Sequence, residues 1–178
     1  MPIDPIRETR RWIEAIVIGL NLCPFARRVF DGELIRYCVS DAKSRAELLI
    51  DLERELQNLA ATPINGIETT ILIHPRVLQD FLDYNDFLSE SDELLASLDL
   101  TGVVQIASFH PDYQFAGTDS DAVENFTNRS PYPMLHLLRE ESVSKFAGDP
   151  EFLAGIPNRN ISLLRGLGRV ALQNILLK

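Results

Sequence analysis

Few side chains in this sequence can move protons or attack a substrate: three histidines, His74, His110 and His136, and two cysteines, Cys23 and Cys38. Cys23 precedes Pro24, and a proline at the first position of a helix would make Cys23 its cap. A thiol at a helix N-terminus is stabilised as thiolate, and Arg27 and Arg28 one turn on would stabilise it further. That is the environment of a nucleophile. The flanking Leu22 and Phe25 fit the other reading equally well, a buried cysteine behaving as a small hydrophobe. Cys38 lies within a strand pattern without such neighbours and reads as core. His74 and His110 each stand between an apolar run and a proline, in Ile73-His74-Pro75 and Phe109-His110-Pro111. Parallel strands would bring both to one sheet edge, where His136 could join them. Three imidazoles suit a divalent metal, but their spacing lacks the close ligand pair of a metal motif, so no metal ligands are assigned.

The second group lies between His110 and Glu140. The segment HPDYQFAGTDSDAVENFTNRSPYP is longer than ordinary connections, and loops of that length are usually functional or disordered. Tyr113, Phe115, Phe126 and Tyr132 argue against disorder. Pro131 to Phe146 reads as a helix opened by a Ser130-Pro131 cap, with Arg129 just before it. A guanidinium beside the free N–H groups of a first helical turn makes an anion site. On that helix His136, Arg139 and Glu140 fall three and four residues apart, on one face. His136 with Glu140 would be an oriented acid/base pair, or else a solvated surface pair. The sequence thus predicts one pocket lined by His110, Asn128, Arg129, His136 and Arg139, in which Arg129 and Arg139 hold a small anion, His110 or His136 moves a proton, and Tyr113, Asn128 and Ser130 complete the binding site. Glu68 precedes a β-branched strand that pulls it toward the core, where it needs a partner. It either joins the binding site or faces water at the strand entry.

Behind these residues the pattern predicts the elements that must position them. Asp4-Pro5 opens a helix whose apolar face is Ile6, Ile13, Ile16, Val17 and Leu20, ending near Asn21. Glu33 to Ser40 alternates as a strand, and Ser44 to Ala61 is a leucine-faced helix. Thr69 to Ile73 is a buried strand, Val77 to Leu98 a helix with a possible break at Ser89-Glu90-Ser91, and Gly102 to Phe109 a second buried strand. Asp149-Pro150 opens a short helix and Asn160 caps a last one reaching Leu177, in which Gly166-Leu167-Gly168 reads as close helix packing. Strand–helix–strand–helix–strand order predicts an α/β fold: a small, mostly parallel sheet of three to four strands flanked by helices, with the strands of Ile71 and Ile106 adjacent and parallel. Antiparallel pairing of the first strand would give an α+β sandwich instead.

The chain has 178 residues and a net charge of -9, enough for one domain over residues 1–178. The acidic balance argues against nucleic acid as partner. No apolar stretch approaches the ~20 residues of a membrane span. The charged N-terminus and the two reduced cysteines point to the cytoplasm. No Gly-rich phosphate loop, G-x-S-x-G elbow or C-x-x-C cluster is present, and the cofactor is left open.

The runs Leu22-Cys23-Pro24-Phe25-Ala26, Glu68-Thr69-Thr70, Gln105 to Pro111, Asn128 to Pro133 and His136 to Glu140 together resemble an uncharacterised bacterial family of domains of unknown function (DUF1415-like). The resemblance spans nearly the whole chain. It implies that these polar stretches form a shared site; it implies no reaction, substrate or cofactor. Three readings stand at this point: an enzyme acting on a small anionic metabolite through His, Arg and Cys23; a metal- or cofactor-binding protein with histidine ligands; and a non-catalytic binding or assembly module.

Overall fold

In a computed structural model that describes residues 4–146 and 150–176, four strands form one open sheet with helices on both faces. Helix α1 (Pro5–Trp12) starts where Asp4 accepts a hydrogen bond from the Ile6 N–H at 3.0 Å. It runs on as a π-helical segment, Ile13–Ile18, to Asn21 in the left-handed conformation at φ 53°. After α2 (Ala26–Asp31) come β1 (Ile35–Val39), α3 (Arg45–Ala61), β2 (Thr69–Ile73), α4 (Phe81–Ser97) and β3 (Val104–Phe109). The long connection that follows holds one 3₁₀ segment, Val123–Thr127, and leads to β4 (Met134–Arg139), α5 (Glu140–Phe146) and α6 (Pro150–Leu176). Ser44 and Asp80 cap α3 and α4, and α4 runs through Ser89-Glu90-Ser91 without a break.

The α/β class holds, and the pairing within the sheet differs from expectation. The strand order is β1-β2-β4-β3. β1 pairs with β2 in parallel, whereas β4 lies antiparallel between β2 and β3. The strands of Ile71 and Ile106 point the same way but are not neighbours, and β3 forms an edge. The reason is β4, whose sequence MLHLLR reads as the start of a helix. A central strand covered on both faces loses the alternation that marks an exposed one, and its apolar run mimics a helical stripe.

Each face of the sheet has its own core. On one, α3 and α4 pack Leu48, Leu52, Leu56, Tyr84 and Phe87 on Leu72, Leu135 and Leu137. On the other, the N-terminal helical segments and α6 bring Trp12, Ile13, Ile16, Leu164 and Leu172 onto Ile71, Ile73 and Met134. Asn160 does not cap a helix: it lies inside α6, buried, with its amide donating to the Leu22 carbonyl at 2.8 Å. Gly166 and Gly168 face open space rather than a packed neighbour. Gly168 instead interrupts α6, at φ 73°, a conformation glycine adopts without a Cβ penalty. Asp149 and Leu177 lie outside the described residues.

Candidate functional site

Two cavities open on the N-terminal side of the sheet. The one over the sheet face has a volume of about 300 Å³ and an apolar wall that includes Ile13, Val17, Phe25, Val29, Ile71 and Phe109. Its polar lining is Cys23, Glu68, Thr69, Gln105, His136, Arg139 and Ser142. The strand register orders these groups. Thr69, Leu138 and Gln105 form one row across the sheet, with Glu68 and Arg139 beside it and Ser142 on the helix just after. His136 stands in the next row on the same face, opposite both Ile71 and Ala107. The polar groups therefore gather at one end of the cavity with His136 midway along it, and Phe109 and Met134 close the apolar end.

His136 is held in one tautomer. The Thr69 hydroxyl lies 2.7 Å from Nε2 of His136 and 2.6 Å from the Leu137 carbonyl. A carbonyl only accepts, so the single hydroxyl proton goes to Leu137, and Nε2–H must donate to the Thr69 oxygen. Nδ1 is then a lone-pair acceptor without a protein donor among the described residues, and His136, only partly buried, lines the cavity. Burial pushes the imidazole pKa down to about 4, so the ring is neutral at physiological pH.

Glu68 is buried, and its carboxylate pairs with the Arg28 guanidinium, which is half-exposed. Arg139 reaches the end of α3, donating to the carbonyls of Leu59, Thr62 and Ile67 through Nε and Nη2. Its charge thus meets the negative end of a helix dipole. Nη1 makes no described hydrogen bond, and no carboxylate pairs with Arg139 among the described residues.

Cys23 lines this cavity but does not cap a helix. α2 begins at Ala26, two residues beyond Pro24. Burial pushes the Cys23 thiol up, and hydrogen bonds with the backbone of Phe25 and Ala26 and the charge of Arg159 offset only part of that. It is a half-buried thiol whose pKa is raised, where a helix cap would have lowered it.

The second cavity, about 410 Å³, is lined by Glu8, Arg11, Phe126, Arg129, Ser130 and Gln173 among others. Trp12 belongs to the walls of both cavities. Its ring meets Phe109 edge-on at 5.4 Å, and its buried Nε1–H has no partner among the described residues. Arg129 donates from Nε to the Tyr113 carbonyl at 3.2 Å and from Nη2 to the Ser120 carbonyl, with its guanidinium over the Phe126 ring.

The site residues predicted from sequence are therefore divided. Cys23, Glu68, His136 and Arg139 come together in one cavity, and Arg129 and Ser130 lie in the other. No helix starts at Ser130-Pro131, so the dipole site expected there does not form. His136 is in β4 and Glu140 opens α5, so the two do not share a helix face. His110, Tyr113 and Asn128 line neither cavity. His110 donates from Nε2 to the Leu78 carbonyl at 3.2 Å and accepts the Asp112 N–H on Nδ1 at 3.0 Å. Both ring nitrogens are committed to backbone, which makes His110 a tie between loops. Asn128 donates to the Ser108 carbonyl at 3.0 Å, and the Tyr113 ring packs on Phe81 and Phe115. Among the described residues, no cluster of His, Cys, Asp and Glu could hold a metal ion, and no helix is long and apolar enough to cross a membrane.

Trp12, Thr69, Gln105 and Ser142 were not predicted. Thr69 opens the predicted buried strand and Trp12 falls within the first predicted helix, and neither position distinguishes a cavity wall from ordinary core. Ser142 lies within the predicted Pro131 to Phe146 helix with no spacing signal of its own, and its buried hydroxyl also lacks a partner among the described residues.

Fold and cavity define an α/β protein with an open mixed sheet and a small-molecule-sized pocket against one face. The chain belongs to the family described as protein of unknown function (DUF1415), whose pattern matches residues 4–174. No curated protein and no solved structure matches it.

Proposed function

We propose that the cavity over the sheet binds a small molecule with an apolar body and an anionic head, and that this chain acts on it by proton transfer at His136. The observation that carries this is the division of the cavity: apolar along its length, with Arg139, Gln105 and Ser142 gathered at one end and the acceptor nitrogen of His136 midway. Its volume lies at the small end of the range for ligand sites. The Ser142 hydroxyl, buried without a partner among the described residues, and the Gln105 amide are the donors for an anionic head, with the charge of Arg139 at the same end. A negative ligand beside His136 would also raise the imidazole pKa from its low value in the empty cavity, making it a better base when substrate is bound. Cys23 contributes to the wall and not to the chemistry.

The test is calorimetric titration with hexanoate and benzoate, each set against its neutral amide, on wild type and Ala107→Phe. Ala107 faces the cavity beside His136, so a phenyl ring there fills it. The carboxylates should bind more tightly than the amides, and the substitution should abolish binding. Carboxylates bound no better than amides, or binding that survives Ala107→Phe, would overturn the reading.

A further inference from the structure

Resting on that reading of the cavity, the fixed tautomer of His136 specifies more about what enters. A ring flip would exchange Nε2 for a carbon, and a C–H group does not fit 2.7 Å from the Thr69 oxygen. The Leu137 carbonyl holds the only proton of that hydroxyl. Ring orientation and tautomer are thus both decided by neighbours on β2 and β4, and neither depends on what occupies the cavity. Nδ1 offers a lone pair and nothing else. Neutral imidazole cannot present two N–H groups, so a ligand oxygen without a proton finds no donor on this ring.

We infer that the molecule taken by this cavity carries an O–H or N–H group on its apolar body that donates to Nδ1 of His136, in addition to its anionic head. In the free protein water can satisfy Nδ1. A purely apolar body would displace that water and leave a buried acceptor unmet, which disfavours it against a donor-bearing body of the same shape. The register sets the separation of the two groups. His136 lies two residues along β4 from the row of Leu138 and Gln105, roughly 7 Å at the rise of a strand. The substrate class is therefore a small hydroxylated or amino-substituted carboxylic acid rather than a simple fatty acid. Thr69 acts as a positioning residue, since it chooses the tautomer without facing the ligand's reacting atoms.

The three hydroxybenzoate isomers and the three corresponding methylbenzoates make matched probes, because hydroxyl and methyl are nearly equal in size. In wild type, at least one hydroxybenzoate should bind about tenfold or more tightly than its methyl counterpart. In His136→Phe that preference should disappear while the methylbenzoates still bind. Long-range ¹H–¹⁵N correlation should show His136 protonated on Nε2 in wild type and a mixture of tautomers in Thr69→Val. If methylbenzoates bind wild type as well as every hydroxybenzoate, this inference falls and the cavity reading stands. Protonation of His136 on Nδ1 in wild type would overturn it without any ligand. Binding of no probe, with hexanoate and benzoate also failing, would remove the cavity reading and this inference together.

Discussion

Lowering the pH should destabilise this protein well before its carboxylates finish titrating, because its histidines are buried neutral. His74 is the clearest case. It is fully buried, donates from Nδ1 to the Val77 carbonyl, stacks on Tyr84, and has no partner on Nε2 among the described residues. Burial holds its pKa down to about 4 from the usual 6.5. The unfolded chain takes up a proton below pH 6.5 and the folded chain does not, so stability is complete above 6.5 and is lost as pH falls toward 4. At about 1.36 kcal/mol per pH unit, His74 alone removes on the order of 3 kcal/mol across that window. His136, whose pKa burial likewise holds down to about 4, titrates in the same direction. Urea unfolding followed by circular dichroism at pH 7.5 and 4.5, on wild type and His74→Phe, isolates the contribution. The phenyl ring keeps the stack on Tyr84 and cannot be protonated. The variant should be less stable at pH 7.5 through the lost hydrogen bond, yet should lose about 2–3 kcal/mol less than wild type between the two pH values. Equal losses in the two proteins would show that His74 is not buried neutral, and the reasoning would fail.

Other outcomes follow from individual contacts. The Tyr84 hydroxyl donates to the Met134 carbonyl at 2.8 Å and accepts the Phe109 N–H at 3.0 Å, tying β4 to β3; Tyr84→Phe should cost about 2–3 kcal/mol, read from the urea midpoint. Arg36 binds the buried Glu55 carboxylate at 2.6 and 3.1 Å. Arg36→Leu should therefore destabilise by about 3 kcal/mol, and adding Glu55→Leu should recover part of the loss. Burial pushes both cysteine thiols up, so iodoacetamide at pH 7.5 should modify native protein much more slowly than protein in urea; rapid selective labelling of native Cys23 would restore it as a nucleophile. Gly168→Ala places a Cβ at φ 73° and should cost about 1 kcal/mol by thermal melt.

Local signals placed most elements well, and tertiary context decided where they failed. Asp4, Ser44 and the run from Thr69 to Ile73 act through neighbours within a few residues, so caps and strand bounds could be read from the chain. The misreading of β4 had wider effects, since one strand taken for a helix moved His136, Arg139 and Glu140 onto a shared face and built an anion site at Ser130. Nothing within MLHLLR distinguishes a strand covered on both sides from a buried helical turn; the difference lies in β2 and β3, some thirty to sixty residues away. The candidate site was legible in its residue types, as the convergence of Cys23, Glu68, His136 and Arg139 indicates. Their roles were not. Whether an arginine is free depends on carbonyls such as those of Leu59 and Thr62, which no spacing rule reveals.

Trp12 is the chain's single tryptophan, and its indole forms part of the partition between the two cavities. The protein thus carries a built-in optical reporter at a residue that lines both cavities. Indole emission depends on the polarity around the ring, so filling either compartment, or hydrating the unpaired Nε1–H, should change its wavelength or yield. With no second tryptophan to dilute the signal, occupancy of both cavities can be followed in unlabelled protein. A ligand that moves the indole from one side would also reshape the compartment on the other, so the same emission would record any communication between them.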